Sequence, residues 1–173
     1  MTDGEAQNGD GQNAVEILSR AVQAIEAGDG KTLIVVQLEK IIKSFQEKIA
    51  ELIEDERGKH SSIQSGEFEI KERKRKDMVV LPCLLKRLKE KRSFALGDPP
   101  EAIIADDDLR KKIEEELILL GNDEGHDFLK NGRFIREMEV AIQIERSALI
   151  EITRLRKKYE EMLDRVMEKL LSS

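Results

Sequence analysis

Apolar residues recur at spacings of three and four along most of this chain, a rhythm that predicts helices rather than strands. Val15, Leu18, Val22 and Ile25 share one face behind an N-cap at Asn13. Gly28-Asp29-Gly30 ends that helix, since glycine adopts the left-handed cap without steric cost. Leu38, Ile42, Phe45, Ile49 and Leu52 follow a four-three-four-three spacing, with Ile41 and Ile53 widening the stripe. They predict a second helix from Lys31 or Thr32 that frays at Glu54–Gly58. The short connection makes these two helices a hairpin over 13–57.

Beyond it the pattern weakens. GKHSSIQSGEFEI, with two glycines and three serines, followed by KERKRK, predicts a linker over 58–77. A short helix is expected from Pro82 to about Arg92 through Leu84, Leu85 and Leu88, proline being tolerated at the first helical position. The alternative, a short DMVVL strand, has no convincing partner strand. Leu96-Gly97-Asp98-Pro99-Pro100 breaks the chain. Asp106 then caps a helix carrying Leu109, Ile113, Leu117 and Leu120, and Gly121–Gly132 reads as a connector with at most one turn at Asp127–Lys130. Short helices and loops therefore fill 78–132.

The strongest pattern is the last. From 133 to 171 there is neither Gly nor Pro. Met138, Ile142, Glu145, Leu149, Ile152, Arg156, Tyr159, Leu163, Val166 and Leu170 alternate four and three, the spacing of a heptad seam. Only Glu145 and Arg156 interrupt it, at positions where polar residues set register or partner choice. At 1.5 Å per residue this helix spans roughly 57 Å, longer than any helix expected before it. The expected fold is all-α: a helical hairpin, short helices and a long C-terminal coiled-coil helix. Because the shorter helices could not cover the seam, Met138, Ile142, Leu149, Ile152, Tyr159, Leu163, Val166 and Leu170 are expected to bind another chain, in a hetero-oligomer before a homo-oligomer.

Composition supports long, thin packing. Charged residues make up 38% and aromatics 3%, against about 25% charged in an ordinary domain. Such a chain buries narrow seams between helices more readily than a thick core. Residues 1–12 have almost nothing to bury and are expected to be disordered. Residues 71–92 carry ten basic and three acidic side chains, a local +7. With a net charge of −6, the remainder holds −13. Within the basic stretch Arg73, Lys74, Arg75 and Lys76 form a dense cluster that suits nuclear import, phosphate contact or docking on an acidic helix. The apolar runs LIVV, MVVL and LILL fall far short of a membrane span. The first residues lack the basic and apolar regions of a secretory signal. A nuclear or cytoplasmic protein is expected, nuclear favoured.

Catalytic motifs fare poorly. GDGKT carries the second half of a P-loop, but the first glycine would fall at Ile25, inside an amphipathic helix where a buried strand should be. Asp123-Glu124-Gly125-His126-Asp127 lacks the EF-hand register, and the other zinc-type ligands, Cys83 and His60, lie far away in sequence. Cys83, between Pro82 and Leu84, is expected to act as a small buried hydrophobe, and as the only cysteine it forms no internal disulfide. No catalytic, cofactor or metal residue is assigned. The expected function is a non-enzymatic structural or adaptor subunit of a multi-protein complex; the alternative is a nucleic-acid or chromatin-binding module using 71–92. If GDGKT is a turn, calorimetric titration with Mg·ATP shows no saturable micromolar binding, and Lys31→Ala leaves the trace unchanged. Wild-type binding that is lost in the variant would restore the P-loop.

Overall fold

The computed structural model describes Arg20, Gln23, residues 31–121, Asp123 and residues 125–172. The acidic tail over 1–12, the helix from Asn13 and the Gly28–Gly30 turn lie outside the described residues. Four helices follow: α1 Lys31–Arg92, α2 Pro100–Ala105, α3 Asp107–Leu120 and α4 His126–Ser172. No strand occurs among the described residues, and the all-α class holds.

The largest departure from expectation is α1. It is one helix of 62 residues, and it includes the whole segment 58–77 expected as a linker, the DMVVL segment and the basic helix to Arg92. The heptad spacing continues through the supposed linker as Glu56, Lys59, Ile63, Gly66, Ile70, Arg73 and Asp77, of which Ile63, Gly66, Ile70 and Asp77 are buried. Polar residues and glycine at seam positions hid it. Pro82 lies inside the helix rather than at its start. It is exposed, and Leu81 and Leu88 anchor the turns on either side in the core. Ser93 closes the helix in the left-handed region at φ 54°, with the Phe94 N–H donating to the Leu88 carbonyl at 3.3 Å. A left-handed residue of this kind turns the chain away from the helix axis, as at many helix ends. At the other end of the chain, α4 begins at His126, before the expected start at 133, and takes in Gly132.

The chain divides into two units. One contains α1 up to His60 and α4 from Ser147; the other runs from Ser61 to Arg146. In the first, Leu38, Phe45 and Leu52 pack with Tyr159 and Val166, flanked by Ile41, Ile42, Ile49, Ile152, Leu155, Met162, Leu163 and Leu170. Among the described residues, the 31–57 stretch packs on α4. Phe45 and Tyr159 meet edge to face, centroids 5.1 Å apart at 60°, the favoured arrangement for two ring quadrupoles. Burial, and secondarily the Glu51 charge, push the Tyr159 phenol above its ordinary range. Arg156, one of the two seam interruptions, bonds to Glu56 of α1 and to Glu160, and both partners strengthen its hold on its proton.

In the second unit Ser62 donates to Glu145 at 3.0 Å, Gly66 lies against Ile142, and Lys74 faces Glu139. As numbers rise along α1 they fall along α4, so the helices run antiparallel. A Cβ at Gly66 would stand 3.0 Å from Ile142 Cδ1 and 3.3 Å from Met138 Sδ, which explains a glycine in mid-helix. Beside this pair, Leu81, Leu88, Ile103, Ile104, Ile113, Leu117 and Phe128 form a second core that seats α2 and α3. Asp106 caps α3 as expected, its carboxylate accepting from the N–H groups of Asp108 (3.0 Å) and Leu109 (3.2 Å). Gly121, at φ 70°, ends it.

Truncating the ring at the centre of the first unit leaves a cavity that a two-helix contact cannot refill. Phe45→Ala is expected to lower stability by about 3–5 kcal/mol, read from urea unfolding followed by circular dichroism. A loss under about 1 kcal/mol would show that Phe45 is not packed as described.

Candidate functional site

The residues expected to bind another chain are covered by this one. Ile152, Tyr159, Leu163, Val166 and Leu170 pack on α1 in the first unit, and Met138 and Ile142 meet Gly66 in the second. Leu149 is half-buried on the same line. The expectation assumed helices of 10 to 25 residues before α4, whereas α1 has 62.

The basic cluster is likewise not a solvated linker. Consecutive residues of a helix point about 100° apart, so four cations in a row cannot form one patch. Arg73 turns inward, donating from Nη1 to Asn131 Oδ1 at 2.9 Å and from Nε to Glu69 Oε1 at 3.4 Å, with its guanidinium 3.7 Å from the Phe134 ring centre. Lys74 stands 3.9 Å from Glu139, and Arg75 pairs with Glu72 at 3.1 Å. Lys76 stays exposed.

Below Lys76 lies the main polar assembly. Asp77 of α1 is 1% exposed and Arg110 of α3 is 3% exposed. Arg110 Nη1 sits 2.7 Å from Asp77 Oδ2, close enough for a charge contact although off the hydrogen-bond direction. Arg110 Nη2 donates to the Phe128 carbonyl at 2.9 Å, and its guanidinium lies 4.1 Å from that residue's ring centre. Buried Glu114 accepts from Arg136 Nη1 with both oxygens, at 3.1 and 2.9 Å, and stands 3.5 Å from Arg110 Nε. Asn131 donates to Asp77 Oδ1 at 3.0 Å. Every charge here faces an opposite one.

A cavity of about 370 Å³ opens beside it, lined by Arg73, Lys76, Asp77, Val80, Asp127, Phe128, Lys130 and Asn131. Arg73, Asp77 and Asn131 are bonded to one another or to the network, which leaves Lys76, Asp127 and Lys130 to set its outer charge. Among the described residues no group of three or more His, Cys, Asp or Glu could hold a metal ion. His126 and Asp127 are exposed in the first turn of α4, where Asp127 complements the helix dipole. Cys83, expected to be buried, is exposed on α1. Among the described residues no helix is long and apolar enough to cross a membrane.

Large apolar side chains that the sequence reading passed over stand outward in the Ser61–Arg146 unit. Phe68 and Val79 of α1 are 64% and 75% exposed; Val140 and Ile144 of α4 are 61% and 65% exposed. Ile118 and Leu119 of α3 are exposed as well. The signal was legible: Val140 and Ile144 are one turn apart and fall off the heptad line through Met138 and Ile142. No family model, curated protein or solved structure matches this chain.

Gly132 packs against the ionic network so closely that a Cβ there would fall on Glu114 Oε1. Gly132→Ala gains about 1 kcal/mol of helix propensity but must displace a buried carboxylate from Arg110 and Arg136, a loss of about 3–5 kcal/mol. Net destabilisation of about 2–4 kcal/mol is expected in chemical unfolding. A stabilised variant would show that the network is looser than its distances imply.

Proposed function

We propose that this protein is a non-enzymatic structural or adaptor subunit that assembles with other helical chains through outward faces of its helices. The observation that carries this reading is the pair Val140 and Ile144. They lie one turn apart on the side of α4 opposite its seam, and both are more than half exposed. The chain already covers the seam, so these residues add nothing to its own core. Exposed apolar groups set side by side mark interaction surfaces more often than isolated ones do. Hetero-oligomers remain favoured.

The basic stretch supports a second reading, nucleic-acid or chromatin binding, because Lys71, Lys76, Lys86 and Lys89 are exposed. The two separate by salt. Phosphate contacts release counterions and weaken steeply as salt rises, whereas apolar burial does not. A nuclear location rests on the Arg73–Lys76 cluster, and its support is reduced by the inward turn of Arg73 and the Lys74–Glu139 contact.

Replacing Val140 and Ile144 together by Glu tests the reading. The double variant keeps wild-type helical circular dichroism, since neither residue is buried, but loses the proteins that the wild type retains in affinity purification. A wild type that sediments as a compact monomer and retains no protein overturns the adaptor reading.

A further inference from the structure

The face of α1 opposite its buried seam carries a strip of its own. The seam of this segment passes through Ile63, Gly66, Ile70, Asp77, Leu81 and Leu88. About a third to half a turn away, spaced by three and four, come Phe68, Lys71, Arg75, Val79, Pro82, Lys86 and Lys89, and every one is exposed. Phe68 and Val79 are eleven residues apart, which brings them within about 20° of one line along the helix. Two pairs of cations are thus interleaved with Phe68 and the pair Val79 and Pro82 along about 32 Å of helix. No acidic residue falls on the line itself. Glu72 and Glu90 flank it on one side, and Glu72 takes up part of the Arg75 charge at 3.1 Å.

From this strip we infer that α1 docks an acidic amphipathic helix of a partner protein, with apolar residues of the partner on Phe68, Val79 and Pro82 and its carboxylates on Lys71, Arg75, Lys86 and Lys89. The inference rests on the adaptor reading and names the partner's chemistry at one surface. Charge complementarity identifies the occupant, and the apolar residues narrow it to protein. Double-stranded DNA read by a helix calls for polar side chains that reach base edges. Here the positions between the cations hold Val79 and Pro82. Single-stranded nucleic acid calls for successive aromatic platforms, and the strip has one aromatic, Phe68. A straight line of small apolar contacts flanked by cations is the counterpart of a helix with a narrow apolar stripe and acidic shoulders.

The test uses the full-length chain and three fluorescent probes followed by anisotropy. The first is a synthetic helix of about 22 residues, the length that matches the strip, with a leucine line flanked by glutamates. The second has glutamine at each glutamate, and the third is a random-sequence DNA duplex. The acidic helix is expected to bind best. Replacing Lys71, Lys86 and Lys89 by Glu weakens it about tenfold or more, because like charges then face each other across the contact. Phe68→Ser with Val79→Ser weakens it about fivefold or more without a change in salt dependence, since the desolvated anchors carry part of the binding. Circular dichroism confirms that both variants stay helical, as their exposed positions require.

Several results overturn the inference. Equal binding of the acidic and glutamine probes removes the role of charge, and indifference to the Phe68/Val79 change removes that of the apolar line. Preference for the duplex with a steep salt slope transfers the strip to nucleic acid. Wild-type self-association abolished by the lysine changes makes the occupant a second copy, and failure of every probe to bind removes the docking site. Each of these can occur while the wild type still retains partners through Val140 and Ile144, so failure of the strip is distinct from failure of the adaptor reading.

Discussion

Arg110 is a full positive charge placed where almost no water reaches it, and the Ser61–Arg146 unit is arranged around that fact. An isolated charge in such surroundings would cost several kcal/mol. Three helices share the compensation: Asp77 from α1, Glu114 from its own α3, and the Phe128 carbonyl with its ring from α4. Arg136 balances the second carboxylate by donating to both oxygens of Glu114, and Asn131 joins Asp77 to Arg73. A buried ion network of this kind adds little net stability over an apolar replacement, but losing one member is costly. Its effect is therefore on placement. A short helix such as α3 could slide along an apolar face with small changes in burial, whereas Arg110 has one position where all its partners are in reach.

The same logic governs the antiparallel pairing. An uninterrupted seam of leucine and isoleucine tolerates shifts by whole heptads, because each step exchanges one apolar contact for another. Arg156 and Glu145 end that degeneracy. Within the first unit Arg156 finds Glu56, and within the second Glu145 finds Ser62. The interruptions of one helix are met by polar residues of the other, and a slipped register would set them against apolar seam residues instead. Gly66 adds a steric condition, since it sits where Ile142 and Met138 come closest to the α1 backbone.

What could be read in advance, and what could not, divides along this line. The α4 helix, the Asp106 cap and the apolar stripe of 38–52 were plain because each is a local pattern with one meaning. The continuity of α1 was not. Gly58, the serines and Gly66 are turn formers by propensity, and propensity is a weak prior that tertiary contact overrides. Glu56, Gly66, Arg73 and Asp77 make sense at seam positions only beside Arg156, Ile142, Asn131 and Arg110, residues far along the chain. A reading that scores apolar periodicity stops at the first polar seam position, and so the helix was cut short. Pro82 compounded this, since a proline that usually opens a helix here lies within one.

The charge asymmetry also changes meaning once the fold is known. Of the ten basic residues over 71–92, Arg73 and Lys74 turn toward Asn131 and Glu139 of α4, and Arg92 holds Glu116 of α3 at 2.9 Å. Part of the local excess is thus matched by acids that belong to the chain's remaining −13. Internal matching explains part of the accumulation of cations on α1, on the flanks of the seam and, through Glu72, at Arg75 of the outer strip. Lys71, Lys86 and Lys89 stand on the opposite side, interleaved with Phe68, Val79 and Pro82. An apolar side chain held in water gains none of the roughly 25 cal/mol per Å² that burial would give. The fold therefore accounts for the inner cations and is indifferent to the outer strip, and it is on that indifferent face that the sequence is free to specify a partner.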